Sequence, residues 1–183
     1  MITLRTFPTW LQSVLAGVYQ KRRESARRAE AVEAGPSTSQ FKMSAVEVES
    51  LAPTQLLRWH GPLNYRTYLD FMAAAQDLHT SGAQRLLIDL HDVTSLELSG
   101  LFALHNVARL FAGADLLDAE GGWVGLRAAA EEIHTSLGER VKLIAPSPAA
   151  EYTLRGSALG RCLDLYPDVA TAVAALDGEG LHW

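Results

Sequence analysis

The chain has 183 residues, 48% of them hydrophobic, with one cysteine and a net charge of −5; that is room for one domain of ordinary size plus an appendage, with a core that folds without staples. The lone Cys162 excludes an intramolecular disulfide framework and a cysteine-based metal cluster, which suits a reducing, cytoplasmic setting. No segment reaches the roughly 20 apolar residues of a membrane helix, and Arg5 and Pro8, ahead of a short apolar stretch ending in Lys21-Arg22-Arg23, do not read as a secretory signal.

The charge is unevenly spread. Residues 1–40 hold six basic and three acidic residues; the rest of the chain holds ten basic and eighteen acidic ones, a balance of −8. An acidic main domain is a poor general nucleic-acid binder, so nucleic acid is not an expected partner.

Trp10, Leu11, Val14, Leu15, Val18 and Tyr19 draw one helical stripe, and a charged helix continues from Lys21 through Ala34. Gly35 to Ser39 reads as a linker, which sets the expected boundaries: 1–40 a helical basic arm with its linker, 41–177 the main domain, and 178–183 a tail. The arm has three readings: docking or homo-oligomerisation through its stripe, contact with an anionic membrane surface, or a fusion remnant. Its stripe is only about three turns long, so helical docking or self-association is the default.

Ser44 to Glu49 and Thr54 to His60 are expected to form a hairpin, the second strand ending at Gly61-Pro62. Asn64 is placed to cap a helix from Tyr65 to His79, with Tyr65, Tyr68, Leu69, Met72, Ala75 and Gln76 along one side and Gly82 as its stop. Arg85 to Leu90 is a strand with little alternation, hence one with parallel neighbours and burial on both faces. A polar turn follows, and then a helix carrying Leu101, Leu104, Val107, Ala108 and Phe111. The stretch from 112 to 140 has two readings, an extended helix with a surface helical insertion packed through Trp123, Leu126 and Ile133, or an added partner surface. A strand at Val141 to Ala145, a short helix from Pro146 to Ala158, a strand at Arg161 to Tyr166 and a helix from Asp168 to Leu176 complete the pattern. Alternating strands and helices predict an α/β fold: a small, mostly parallel mixed sheet with an N-terminal hairpin and helices packed mainly on one face.

Catalytic constellations are missing. The six histidines show no two-ligand spacing, so no metal site is expected; there is no nucleophile elbow, Walker loop or dinucleotide-binding glycine motif, and no cofactor is implied. His91 beside Asp92 in a loop specifies too little to be read as an acid–base pair. The chain is read as a non-enzyme.

The turn into the helix at 97–101 is the most informative stretch, because a helix start exposes unpaired backbone N–H groups and the positive end of the dipole. Ser99 there has two readings: a hydroxyl capping a backbone N–H with Glu97 adding a favourable charge, or a phosphoacceptor.

Four segments, WHGPLN at 59–64, LLIDLHDVTSLELSGL at 86–101, VKLIAPSP at 141–148 and LDLYPDVATAVAAL at 163–176, resemble in order and context the STAS domain of anti-sigma factor antagonists and sulfate transporters. The resemblance covers about residues 41–177 and implies a bacterial signalling domain whose partners are an anti-sigma factor or serine kinase, or other STAS proteins. Aligned on Ser99-Gly100, it puts Glu97 at the family's aspartate, Leu98 at its phosphoacceptor and Ser99 at its second serine. Leu98 has no hydroxyl to phosphorylate, and moving the acceptor one residue along a helix turns it by roughly 100°. Docking without the usual switch is therefore favoured, through Glu97, Leu98, Ser99, Gly100 and Leu101, with Asn64 beside them and an apolar rim of Leu98 and Leu101. The alternatives are a nucleotide- or anion-sensing module at the same helix start, and a regulatory domain associated with a membrane transporter. The 112–140 insertion is a second departure from the family's pattern.

Overall fold

A computed structural model describes residues 45–51, 54–117, 137–144, 146–157 and 159–178. The chain divides into two units, 1–43 and 44–183, and every described residue belongs to the second. The arm, most of the insertion with Trp123, Leu126 and Ile133, and the end of the tail lie outside the described residues.

Strands β1 (Ala45–Leu51) and β2 (Thr54–Leu63) form the expected antiparallel hairpin, in register from Ala45 opposite His60 to Leu51 opposite Thr54. Beyond them the chain runs through α1 (Tyr68–Thr80), β3 (Arg85–Asp89), β4 (Val93–Leu96) and α2 (Leu98–Ala112). Then come the single turn α3 (Leu137–Arg140), β5 (Val141–Ile144), α4 (Pro148–Arg155), the turn α5 (Leu159–Cys162), β6 (Leu165–Tyr166) and α6 (Val169–Gly178). The six-stranded sheet has the order β1-β2-β3-β5-β6, with β4 paired to β2.

β3 behaves as its composition demands. Leu86, Leu87 and Ile88 are all fully buried, and parallel partners lie on both sides, β2 and β5. Leu57 and Ile88 are register partners and so share a face with Trp59, which meets Phe71 of α1 edge-on at 5.4 Å between ring centroids. On the opposite face Leu56, Leu87 and Ile144 bury against Ala172 and Leu176 of α6. Further along β2 the same face turns ionic: Arg58 bridges Glu49 (3.0 Å) and Asp89 (3.4 Å), and His60 meets Asp92 at 2.9 Å. Charged side chains keep this open part of the sheet hydrated.

Several boundaries differ from the sequence expectation. Gly61-Pro62 does not end β2; Gly61 takes a left-handed φ of 96°, donates its N–H to the Asp92 carbonyl, and lets the strand continue irregularly to Leu63. That extension gives β4 its parallel partner, at Gly61 opposite Val93 and Leu63 opposite Leu96, so part of the segment read as a polar turn is a strand. The helix after β2 starts at Tyr68 rather than Tyr65. Asn64 heads a separate turn, its Oδ1 accepting from the Arg66 N–H and its carbonyl accepting from Thr67 and Tyr68. The buried side of α1 is therefore centred on Phe71 and Met72, leaving Tyr65 exposed. Its stop is as expected: Ala83 and Gly82 donate back to Leu78 and His79 around a Gly82 φ of 98°. Ser147 caps α4 by accepting from the Ala150 N–H, but the helix ends at Arg155. Of the last expected strand only Leu165–Tyr166 is extended, since Leu159–Cys162 closes a helical turn whose Gly160 N–H reaches the Ser157 hydroxyl at 3.4 Å.

Candidate functional site

α2 begins where two strand ends meet. The Glu97 N–H donates to the Leu63 carbonyl at 3.1 Å, tying the end of β2 to the helix start, and the Glu97 carbonyl accepts the first intrahelical bond from Leu101 at 3.0 Å. Glu97 is thus the N-cap residue by backbone, extended at φ −100° and ψ 177°, but its carboxylate makes no capping bond.

Gly100 allows this close approach. A Cβ there would fall against the Leu63 carbonyl oxygen and within 2.7 Å of Leu96 Cδ1, so only glycine lets the helix sit on the strand end. One turn further in, Phe102 meets Tyr68 of α1 edge-on at 6.4 Å.

The six residues expected to form a docking surface are brought to one corner, but they divide into two kinds. Glu97 and Leu98 are exposed, Leu98 at 46%; Ser99 and Asn64 are half-buried. Gly100 and Leu101 are buried, Leu101 at 5% exposure. The expected apolar rim of Leu98 and Leu101 is therefore Leu98 alone, because Leu101 belongs to the stripe that α2 turns into the core. Of the two readings of Ser99, the capping one does not hold: its hydroxyl forms no hydrogen bond among the described residues, because it lies inside the first turn rather than at the N-cap.

Sequence reasoning missed two neighbours of this corner. Tyr65, expected in the apolar stripe of its helix, is 62% exposed. Arg66 lies over the Tyr65 ring at 5.3 Å and donates from Nε to the Tyr65 hydroxyl at 2.8 Å. The signal was the Asn64 turn itself, which delays the helix and turns these two residues outward.

Deeper along α2 the polar residues are buried. Asn106 accepts the Leu117 N–H on Oδ1 at 2.7 Å, and Arg109 donates from Nε to the Asp115 carbonyl. His105 is 1% exposed with neither ring nitrogen hydrogen-bonded among the described residues, and its pKa is lowered to about 4, chiefly by burial and secondarily by the Arg109 guanidinium one turn along. His79, which meets Phe111 edge-on at 5.2 Å, is lowered in the same direction by burial and then by Arg140.

Of the loop pair His91 and Asp92, both exposed, Asp92 is engaged by His60. Among the described residues no group of histidine, cysteine or carboxylate side chains is arranged to hold a metal ion, and no helix is long and apolar enough to cross a membrane.

In its sheet order, hairpin start and the helix seated on the β2–β4 junction, the chain shares the STAS fold of solved anti-sigma factor antagonists. Among solved structures, the chain is similar to an anti-sigma factor antagonist from Mycobacterium paratuberculosis, with 19% identity over 76% of this chain and 99% of the other at a TM-score of 0.53. It is similar to the anti-sigma factor antagonist SpoIIAA in its unphosphorylated form, with 18% identity over 73% and 97% at a TM-score of 0.51. A Thermotoga maritima protein assigned to the same class matches with 16% identity over 72% and 94%, at a TM-score of 0.54. No family model and no curated protein sequence matches the chain.

Proposed function

We propose that this chain is a non-enzymatic regulatory domain that docks a protein partner at the start of α2, in the manner of an anti-sigma factor antagonist but without the usual Ser/Thr switch. The observation that carries this reading is Leu98, a leucine 46% exposed at the first position of a helix that is buried from Gly100 through Arg109. An exposed apolar side chain beside an uncapped carboxylate and free helix N–H groups offers both a desolvating contact and directional polar ones. The names of the structural neighbours support the class of activity.

The docking residues are Glu97, Leu98, Ser99 and Asn64 at the surface, with Gly100 and Leu101 setting the position of the helix beneath them. The partner is an anti-sigma factor or serine kinase of the corresponding pathway, or another STAS protein. Leu98 stands where the resemblance puts the phosphoacceptor and has no oxygen to modify, so docking is constitutive. The test is affinity capture from the native cytoplasm with wild type and Leu98→Asp, alongside phosphopeptide analysis of Ser99. Capture of a partner of that class, lost in the variant, with Ser99 unmodified, is the expected result; capture that ignores Leu98 contradicts the docking site, and phosphate on Ser99 contradicts constitutive docking.

A further inference from the structure

The corner around the Leu63–Glu97 hydrogen bond carries a combination that no single-sign docking patch has. Two of the four large apolar side chains exposed among the described residues, Tyr65 and Leu98, stand within two residues of that bond. Beside each is a charge of opposite sign: Arg66 next to Tyr65, and Glu97 next to Leu98. Neither Arg66 nor Glu97 forms an ion pair among the described residues, and Glu97 makes no capping bond. Arg66 is held over the Tyr65 ring at 5.3 Å with its Nε on the tyrosine hydroxyl, so its guanidinium has already lost part of the rotamer freedom that an interface contact would remove.

A surface that presents one apolar residue with a positive charge and one with a negative charge is complementary to itself. In a two-fold arrangement each copy's positive half meets the other's negative half, and every pairing occurs twice. We infer that this corner binds a second copy of this chain, with Arg66 of each copy facing Glu97 of the other and Tyr65 packing against Leu98 across the axis. Such a dimer occupies the start of α2, and if that is the docking site proposed above, self-association and partner docking exclude each other. That regulatory consequence rests on the docking reading, while the dimer itself does not.

The test is sedimentation equilibrium of the purified full-length protein, from micromolar concentrations up to about 1 mM, the range in which weak homodimers are detected. The variants are Arg66→Glu, Glu97→Arg and the double charge exchange, each checked for native circular dichroism and unfolding midpoint. The wild type is expected to dimerise reversibly. Each single reversal should weaken the dimer at least about tenfold, since the two-fold axis places the like-charge clash twice. The double exchange should restore wild-type affinity. A wild type that stays monomeric throughout overturns the inference, as does a dimer indifferent to both single reversals, which would belong to another surface. Weakening without restoration in the double variant overturns the facing of Arg66 and Glu97. The readout uses this protein alone, so its failure leaves partner capture untouched, and loss of partner capture leaves the dimer untouched.

Discussion

At the start of α2, Glu97 and Ser99 hold polar side chains that form no hydrogen bond among the described residues, whereas Asn106, further along the same helix, is buried and spends its carbonyl on the backbone of Leu117. One helix thus uses polar residues in opposite ways. Buried polar groups must be bonded or cost stability; Asn106 and Arg109 in the middle of α2 hold the chain leaving the helix at 115–117, whereas His105 beside them is buried with neither ring nitrogen bonded among the described residues. Exposed Glu97 and half-buried Ser99 are held by no side-chain hydrogen bond among the described residues, and Leu98 between them is 46% exposed. Packing and the bonds to 115–117 occupy the buried half of the helix, and the other half is the one to which the docking proposal assigns a partner.

Substitutions should separate the two halves. The largest effect is expected where they join. Gly100→Val drives its side chain into the Leu63 carbonyl, which cannot rotate away as a side chain would, and should cost about 3 kcal/mol by denaturant unfolding. Wild-type stability with this valine would mean that the helix start is not seated on the strand end.

The buried half should also respond to acid. His105 has its pKa lowered from 6.5 to about 4 in the folded protein. Between those values the unfolded chain binds a proton that the native state refuses, so stability is full above the unfolded pKa and falls as pH drops from 6.5 toward 4. The loss between neutral pH and pH 5 should be about 2 kcal/mol, and His79 adds to it with the same sign. His105→Leu should flatten most of this slope; an unchanged slope would place the acid sensitivity elsewhere.

Asn106→Leu, which strips the Leu117 N–H of its acceptor, should cost about 1 to 2 kcal/mol. Amide exchange should accelerate at 114–117 and stay unchanged at 97–101, because the two regions are joined only through a rigid helix. Faster exchange at both would couple the ends that the comparison treats as separate.

Much of the fold was legible in the sequence because apolar spacing carries it. Leu86 to Ile88 read as a strand buried on both faces, and the stripe Leu101, Leu104, Val107, Ala108 and Phe111 is buried throughout. What was not legible depends on partners distant in sequence. β4 exists because β2 continues past Gly61-Pro62, and nothing local to Val93–Leu96 announces that neighbour. Tyr65 was misplaced because Asn64 closes a turn before the helix begins, which moves the helix start by three residues and rotates its face. The candidate site was legible as a location and less so as a surface. Helix-start chemistry and the STAS resemblance point to 97–101, but only the close seating of Gly100 on Leu63 decides that Leu98 faces water while Leu101 does not. For Arg66 the one signal was the same Asn64 turn, from which its position over Tyr65 follows.

The smallest expected effect on stability belongs to the residue with the largest expected effect on function. Leu98→Asp adds a carboxylate to the first turn of α2, where the helix dipole favours it, at the loss of a half-exposed side chain; its unfolding free energy should stay within about 0.5 kcal/mol of wild type. The decisive measurement is affinity capture with wild type and Leu98→Asp, both shown to be folded, from a lysate of the native host, with the captured proteins identified by mass spectrometry. An anti-sigma factor, a serine kinase or a STAS protein retained by wild type and lost from Leu98→Asp is the predicted result. The same proteins retained by both, or none of these classes retained by wild type, would contradict docking at the start of α2.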